Sequence, residues 1–163
     1  GQEYGEKGMD KEGFSGNDGR TTIFDYWSVD TIVRAAERKL NAQEKQLKAV
    51  YDKVISIATT EKAVLDGASF DLMYVNSQYN HEYAFIRKAG AEVLLVVANF
   101  ADSNQALGIT LPGHAFDFLN MKEKNVQASD LISGEKQKLS LKRDAAVVVN
   151  VQPKSAVVLK FKA

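Results

Sequence analysis

Eight short runs of alternating apolar and polar residues fill the sequence from residue 69 onward, and they constrain the fold more than any other feature. Val, Ile, Phe and Tyr dominate these runs, and a period of two is typical of half-buried strands. No crossover helix lies between them, so we expect antiparallel pairing. The sequence therefore predicts an antiparallel β-sandwich over residues 66–163. The runs are "FDLMYV", "YAFIRK", "EVLLVVANF", "LGITLP", "ASDLI", "QKLSL", "AVVVNV" and "SAVVLKFKA".

Four turn sequences lie between these runs. They are "KAGA" at 88–91, "LPGH" at 111–114, "SGEK" at 133–136 and "QPKS" at 152–155. Pro112-Gly113 suits a type II turn, and Pro153 stands at the second position of its turn. Each of the four is predicted to close a hairpin between neighbouring strands.

The first 65 residues carry a different pattern. Residues 1–28 are rich in glycine and lack hydrophobic periodicity, so they are predicted to form a loop. Two helices with apolar stripes are predicted after the loop, and "NAQE" at 41–44 is typical of a capping box at the start of the second. Such a short segment buries too little surface to fold alone. We therefore expect two domains, 1–65 and 66–163, with the first dependent on another body.

Composition limits the classes of partner. The chain carries 21 Lys and Arg against 21 Asp and Glu, so its formal net charge is zero. Nucleic-acid binders and proteins of anionic membrane surfaces carry a basic excess, and we expect neither partner here. The longest apolar run, "VLLVVA" at 93–98, is far shorter than the ~20 residues that cross a bilayer. The chain has no Cys, which excludes disulfides, thiolate metal sites and a Cys nucleophile.

Side chains suited to catalysis or metal binding lack the spacing of a known motif. The chain has two histidines, His81 and His114, and no G-x-S-x-G sequence accompanies them, so we expect solvated turn histidines. Oxygen ligands in the N-terminal loop do not follow the spacing of a helix-loop-helix calcium site. A looser calcium site in this loop stays open as an alternative. Its ligands would come from Asp10, Glu12, Asn17 and Asp18.

"GQEYG" at 1–5, followed by "GRTTIFDYW" at 19–27, resembles a segment of the α-amylase family, glycoside hydrolase family 13. In that family the segment leaves the eighth strand of the catalytic barrel, and the strand ends in Gly-x-Glu, here Gly1-Gln2-Glu3. The second stretch is most similar to the version in amylase-like proteins of gut Bacteroidetes-type bacteria. It carries Thr22 where α-glucosidase-like members carry Pro.

The resemblance continues through the rest of the chain. The second helix is similar to the last barrel helix, and "YAFIRKAGAEVLLVVANFAD" at 83–102 is similar to the opening strands of the family's C-terminal β-sandwich. The resemblance thus implies a remnant of the last strand-loop-helix unit of a (β/α)₈ barrel over 1–65. It implies the C-terminal antiparallel sandwich over 66–163.

The same resemblance implies a non-catalytic role. The family's two catalytic Asp residues and its catalytic Glu lie at the ends of earlier strands, so no residue here inherits a catalytic role and we expect this chain alone to be inactive. The parent is expected to hydrolyse O-glycosyl bonds of α-glucans such as starch and maltooligosaccharides, in the periplasm or outside the cell. We expect no cofactor, with calcium allowed in the parent. The candidates for the rim of the substrate site are Glu3, Tyr4, Arg20, Asp25, Tyr26 and Trp27.

The apolar stripe of the second helix predicts a partner. In the parent, the side chains of Leu47, Val50, Tyr51 and Val54 would pack on the catalytic barrel. Covering four such side chains is worth roughly 6–12 kcal/mol as an upper estimate. Without a barrel, we expect the stripe to fold onto the sandwich or onto a second copy in a two-fold homodimer.

Two other functions compete with this one. A free-standing carbohydrate-binding module would need aromatic side chains exposed on one face of the sandwich, and alternation assigns most of those available to the core. A small complete enzyme would depend on loop carboxylates such as Glu3 or Asp25. The aromatic residues available to a module are Tyr74, Tyr79, Tyr83, Phe116 and Phe118.

Overall fold

A computed structural model describes residues 1–6 and 29–163, and divides the chain into two compact units, Gly1–Ile55 and Ser56–Ala163. We call them the N-terminal unit and the sandwich unit. The N-terminal unit begins with a short 3₁₀ helix at Gln2–Tyr4 and continues with helix α1 at Asp30–Ala36. Helix α2 follows at Ala42–Thr60. None of the helices in these described ranges is long and apolar enough to cross a bilayer.

The predicted capping box at the start of α2 is confirmed. The Asn41 side chain accepts a hydrogen bond from the Glu44 N–H at 3.0 Å, and the Glu44 carboxylate accepts one from the Asn41 N–H at 2.9 Å. Two backbone donors that the first turn leaves unpaired are satisfied in this reciprocal way. The Arg34 guanidinium of α1 binds the same carboxylate at 2.6 Å and ties the two helices together.

The sandwich unit contains eight strands in its described residues, and every pairing among them is antiparallel. In chain order the elements are α3 (Lys62–Leu65), β1 (Ala68–Asp71), a 3₁₀ helix (Met73–Val75), β2 (Glu82–Ala89), β3 (Glu92–Asn99), β4 (Gln105–Leu111), α4 (Gly113–Phe118), β5 (Lys124–Asp130), β6 (Lys136–Leu141), β7 (Ala145–Val151) and β8 (Ser155–Lys162). One sheet has six strands in the order β1-β2-β3-β8-β5-β6, and the other pairs β4 with β7. The predicted fold class, an antiparallel β-sandwich behind an N-terminal helical segment, is confirmed.

The main core lies between the two sheets. Alternate residues of β3, among them Val93, Leu95 and Val97, face alternate residues of β4 and β7, and all are buried. Helix α4 contributes Phe116 to the same core. The period of two in the sequence therefore follows directly from one buried face on each strand.

A smaller core lies on the other face of the six-stranded sheet. There Ala63 of α3 packs against Leu94 of β3 and Val158 of β8, and all three are buried. Gly67 connects α3 to β1 where no side chain fits. A Cβ at this position would lie 2.2 Å from the Ala63 carbonyl oxygen and 2.8 Å from that of Lys88.

Two of the predicted hairpin turns are wrong. Pro112 is the N-cap of α4 in an extended conformation, and the Asp144 carboxylate accepts the Gly113 N–H at 2.8 Å, so the chain enters a helix after β4. "QPKS" at 152–155 joins β7 of one sheet to β8 of the other, and these two strands do not pair. The alternating sequence predicts the strands well but does not say which sheet each one joins.

The first predicted strand is also shorter than "FDLMYV" suggests. It ends at Asp71, whose side chain accepts the Met73 N–H at 2.8 Å and turns the chain into the 3₁₀ helix. The hydrogen bond that Asp71 accepts offers the backbone an alternative to the sheet ladder.

Candidate functional site

The structure describes two of the six candidates for the rim of a substrate site. Glu3 and Tyr4 belong to the 3₁₀ helix at the start of the chain. The pKa of Glu3 is lowered mainly because its carboxylate accepts a hydrogen bond from its own backbone N–H. The nearby amino group of Gly1 lowers this pKa further. Four other candidates lie outside the described residues, as do the four oxygen ligands of the looser calcium site. These four candidates are Arg20, Asp25, Tyr26 and Trp27.

A groove of about 500 Å³ in the N-terminal unit is lined by Tyr4, Glu6, Thr31, Arg34 and Glu44. The Glu6 carboxylate accepts hydrogen bonds from the Thr31 N–H at 2.8 Å and from the Thr31 hydroxyl at 2.5 Å. These two bonds hold the pKa of Glu6 below its usual value. Glu6 therefore satisfies a backbone donor in the first turn of α1.

The Glu44 carboxylate in the same groove is almost fully buried. The Arg34 guanidinium and the Asn41 N–H both bind it, and together they lower the pKa of Glu44. A catalytic general acid needs the opposite displacement, a pKa raised by burial or by a neighbouring negative charge. The pKa values of Glu92 and Asp117 are lowered as well. Glu6 and Glu44 thus anchor the helices, and their environment does not suit proton donation.

An apolar face of α2 is exposed in the N-terminal unit, and so are two apolar side chains of α1. Val50 and Val54 of α2 are 44% and 46% exposed, and Ile32 and Val33 of α1 have similar values. Soluble proteins rarely expose several large apolar side chains together unless another surface covers them. The face is available to pack against a further body.

The sandwich aromatics separate into structural and exposed residues. Phe116 is buried in the core, and the hydroxyl of Tyr79 bonds the N–H and the carbonyl of Gly108 in β4. Tyr83 is exposed on β2. Tyr74 and Phe118 are exposed too, and they lie together with two other rings.

We call these four rings the aromatic cluster: Phe70, Tyr74, His114 and Phe118. Phe70 is half-buried at the centre, with ring centroids 6.2 Å from Tyr74, 5.4 Å from His114 and 5.8 Å from Phe118. The Tyr74 hydroxyl and the His114 Nε2 are hydrogen-bonded. Burial, and then the charges of Asp144 and Asp71, raise the pKa of Tyr74, so the phenol stays protonated at neutral pH.

Neither histidine has the surroundings of a catalytic base. In the described part of the chain, no hydrogen bond joins His81 or His114 to a serine. His81 is exposed, and its backbone N–H binds the carboxylate of Glu82 at 3.1 Å. Within residues 1–6 and 29–163, a serine nucleophile and an orienting acid are therefore not hydrogen-bonded to either ring.

The "VVANF" segment of β3 has a structural explanation. Asn99 is buried, and its amide nitrogen lies within hydrogen-bond distance of the carbonyl oxygens of Ser103, Val151 and Gln152 at 2.9–3.3 Å. Its amide oxygen accepts the Ala101 N–H at 2.9 Å. This side chain joins the loop after β3 to the end of β7.

The sequence profile described as "Alpha amylase, C-terminal all-beta domain" matches residues 74–162, which is more than half of the chain. The chain belongs to this family of α-amylase C-terminal domains. The match covers β2–β8, including the strand with Asn99 and the helix with Phe118. No curated protein sequence matches the chain significantly.

Solved structures share the fold of this α-amylase C-terminal domain. A noncanonic maltogenic α-amylase, AmyB from Thermotoga neapolitana, is similar with a TM-score of 0.64 and 12% identity, over 100% of this chain and 32% of that chain. An isomaltulose synthase from Klebsiella sp. LX3 has a TM-score of 0.52 and 24% identity, over 89% and 22%. An Anoxybacillus α-amylase has a TM-score of 0.52 and 17% identity, over 72% and 23%. The chain thus spans a third or less of these relatives.

Sequence reasoning missed the contacts that fix α3 on the sheet. Arg87 donates to the carbonyl oxygens of Ala63 and Val64, and Glu92 accepts the Ala63 N–H, although Arg87 and Glu92 both stand in predicted strands. The sequence signal for these contacts is Arg87, a charged residue inside an apolar run. In the β2–β3 ladder, Arg87 stands opposite Leu94 and so faces the same side of the sheet. The helix itself, at Lys62–Leu65, is too short to give a periodic pattern.

Proposed function

We propose that this chain is the non-catalytic C-terminal portion of a glycoside hydrolase that acts on α-glucans, and that it stabilises the catalytic barrel of that enzyme. Its length relative to the similar structures leaves room for a barrel of roughly 250 residues. Two of those structures are α-amylases, which supports α-glucans as the substrate class.

The exposed apolar face of α2 carries this proposal. Val50 and Val54 project from a helix whose capping box and Arg34–Glu44 ion pair fix its start. A well-defined helix with an open apolar face gains stability when a second body covers it. In the parent enzyme, that body is the barrel.

The carboxylates of the groove support a structural role over a catalytic one. Glu6 and Glu44 have lowered pKa values because each accepts hydrogen bonds from groups that fix the two helices. Catalysis of glycosyl transfer needs two carboxyl groups on opposite sides of the bond, one of them protonated. We therefore propose that the chemistry belongs to the barrel alone.

A co-production experiment tests the proposal. The barrel and this chain are produced as separate polypeptides, and hydrolysis of amylose is measured with each alone and with both. We expect both together to form a complex that keeps its activity at temperatures where the barrel alone is inactivated, and we expect this chain alone to be inactive. The double variant Val50→Asp, Val54→Asp should fail to form it, because two charges would be buried against the barrel.

Val148→Asp is the matched control, since Val148 is an exposed valine of β7 in the sandwich. This control should keep full complex formation. If the double variant also forms the complex, the α2 face does not contact the barrel. If this chain alone hydrolyses amylose, the non-catalytic role is wrong.

A second copy of the chain is the alternative partner for the same face. Without a barrel, we propose that two copies pair through α2, and sedimentation equilibrium would give twice the mass of 18.0 kDa. The Val50→Asp, Val54→Asp variant should then sediment as a monomer. A wild-type monomer at high concentration would contradict self-association.

A further inference from the structure

The aromatic cluster exposes more apolar surface than the fold requires. Phe118 is 62% exposed and Tyr74 is 53% exposed, although both stand beside a well-packed core. Two residues before Phe118, Phe116 is buried and already anchors α4 together with Ala115. Phe118 therefore adds little to the stability of the sandwich, and its exposure is informative.

The segments that carry the rings are held firmly in place. Phe70 stands opposite Ile86 in the β1–β2 ladder, and its ring packs against the edge of the main core. The next segment, which carries Tyr74, is fixed by the buried Asn76. The amide of Asn76 bonds the carbonyl of Leu72 at 2.8 Å and both backbone groups of Thr110.

Helix α4 is fixed by charged side chains of the turn between β6 and β7. Arg143 donates to the Gly113 carbonyl at 2.9 Å and pairs with Asp117 at 2.5 Å, while Asp144 accepts the Gly113 N–H. The rings of His114 and Phe118, four residues apart, therefore share one face of a fixed turn. A surface of fixed rings loses little conformational entropy when it binds a ligand.

The groups around the rings define the chemistry of a ligand. The Tyr74 hydroxyl, the His114 imidazole and the Asp117–Arg143 pair offer donors and acceptors at the border of the rings, whose planes are tilted by 44–61° to one another. Carboxylates outnumber cations here, since Asp71 and Asp144 also lie close to Tyr74. A nucleic acid or another polyanion would be repelled. A flat, neutral ligand with many hydroxyl groups fits.

We propose that the aromatic cluster is a binding surface for the glucose rings of an α-glucan chain, separate from the catalytic site of the parent. The C–H face of a pyranose ring packs on the negative face of an aromatic ring, and its hydroxyl groups reach the bordering polar groups. The choice of an α-glucan rests on the proposed function. The surface is open, so it suits a long chain better than a small enclosed ligand.

Phe70, at the centre of the cluster, and helix α3 lie on opposite faces of the six-stranded sheet. Phe70 projects from the core face of the six-stranded sheet, beside Ile86, whereas α3 packs on the opposite face beside Leu94. A glucan on the cluster would not displace α3. The chain would then hold its substrate polymer near the enzyme in addition to stabilising the barrel.

Affinity electrophoresis of the 163-residue chain in native gels with soluble starch tests this inference. We expect starch, and not a β-linked glucan, to retard the wild-type chain. Phe118→Ala and Tyr74→Ala should raise the apparent Kd for starch at least tenfold, while Phe118→Tyr should restore retardation because it restores a ring. Thermal melts should show that Phe118→Ala remains folded, since this side chain is largely exposed.

Tyr83→Ala is the matched control, an exposed tyrosine of β2 outside the cluster. It should be retarded like the wild type. The inference is overturned if starch fails to retard the wild-type chain or if Tyr83→Ala loses as much retardation as Phe118→Ala. It is also overturned if Phe118→Ala only converts a dimer to a monomer, because the occupant is then a second copy.

Failure of this inference and failure of the proposed function are distinguishable. A chain that binds and stabilises the barrel but is not retarded by starch contradicts the binding surface alone. A chain that is retarded by starch but neither binds nor stabilises the barrel contradicts the proposed function alone.

Discussion

The guanidinium of Arg87 binds the carbonyl oxygen of Ala63 at 2.9 Å and so fixes α3 to the outer face of the six-stranded sheet. A second guanidinium nitrogen binds the Val64 carbonyl at 2.6 Å, and the Glu92 carboxylate accepts the Ala63 N–H at 2.8 Å. Side chains of the β2–β3 hairpin thus bind both backbone N–H and backbone carbonyl groups of this one-turn helix. This arrangement makes α3 part of the sandwich.

Replacing Arg87 should destabilise the sandwich unit. Arg87→Ala leaves two carbonyl oxygens of α3 without partners, so we expect the free energy of unfolding to fall by about 1–3 kcal/mol. Urea unfolding followed by circular dichroism measures the change. Lys138→Ala, at an exposed position of β6, is the control and should change stability by less than about 0.5 kcal/mol. An equal effect of both variants would contradict the role of Arg87.

The Glu92 carboxylate should make stability depend on acid pH. Burial works to raise the pKa of Glu92, but the Ala63 N–H and the Lys160 ammonium at 3.0 Å outweigh it and hold the pKa below its usual value. A lowered folded-state pKa stabilises the fold above the unfolded-state pKa, and that stabilisation is lost as the pH falls through the folded-state value.

We therefore expect Glu92→Gln to be less stable than the wild type at pH 7. The difference should shrink as the pH falls below about 4, the range in which an unperturbed Glu takes up its proton. Urea midpoints between pH 3 and pH 7 test this expectation. Glu135→Gln, at an exposed position in the β5–β6 turn, should show no such trend. A constant difference for Glu92→Gln across the series would refute the linkage.

Asn99→Ala should lower the free energy of unfolding by more than the replacement of an exposed asparagine does. The variant removes the amide that binds three buried or half-buried carbonyl groups, so we expect a loss of about 2–4 kcal/mol. Asn125→Ala, on the exposed part of β5, is the control. Thermal midpoints measured by calorimetry would rank the two, and similar values would show that the Asn99 contacts contribute little.

Gly67→Ala should also destabilise the sandwich unit. The added Cβ would lie 2.2 Å from the Ala63 carbonyl oxygen, a backbone atom that can move only if α3 moves. We expect a loss of about 2 kcal/mol or more by overpacking. Gly108→Ala, where the nearest atom to the new Cβ is 3.7 Å away, is the matched control and should be close to neutral. Equal thermal midpoints for both variants would contradict the close approach at Gly67.

The sequence predicts those elements that local chemistry determines. Alternation fixes the strands because each buries one face, and Asn41 with Glu44 fixes the start of α2 because each side chain binds the other's backbone. Prediction from the sequence fails where a residue distant along the chain determines the local structure. Pro112 begins a helix because Asp144, on the strand connection beyond β6, accepts the Gly113 N–H.

The candidate sites divide in the same way. The exposure of Tyr74 and Phe118 depends on which side of the 3₁₀ helix and of α4 packs on the core. These helices are too short for a periodic sequence pattern to predict that side. Alternation would place Phe116 and Phe118 on the same face, yet the helix between β4 and β5 separates them. The grouping of Arg20, Asp25, Tyr26 and Trp27 with Glu3 stays a prediction, because those four lie outside the described residues.

Thermal inactivation of amylose hydrolysis by the parent barrel, with and without this chain, tests the account most directly. If the chain supplies packing and no chemistry, it should raise the inactivation midpoint while kcat per active barrel stays constant. The variants Glu6→Gln and Glu44→Gln should lower that midpoint and leave kcat unchanged. A chain that leaves the midpoint unaltered, or a Glu variant that abolishes kcat in a complex of normal stability, would contradict the account.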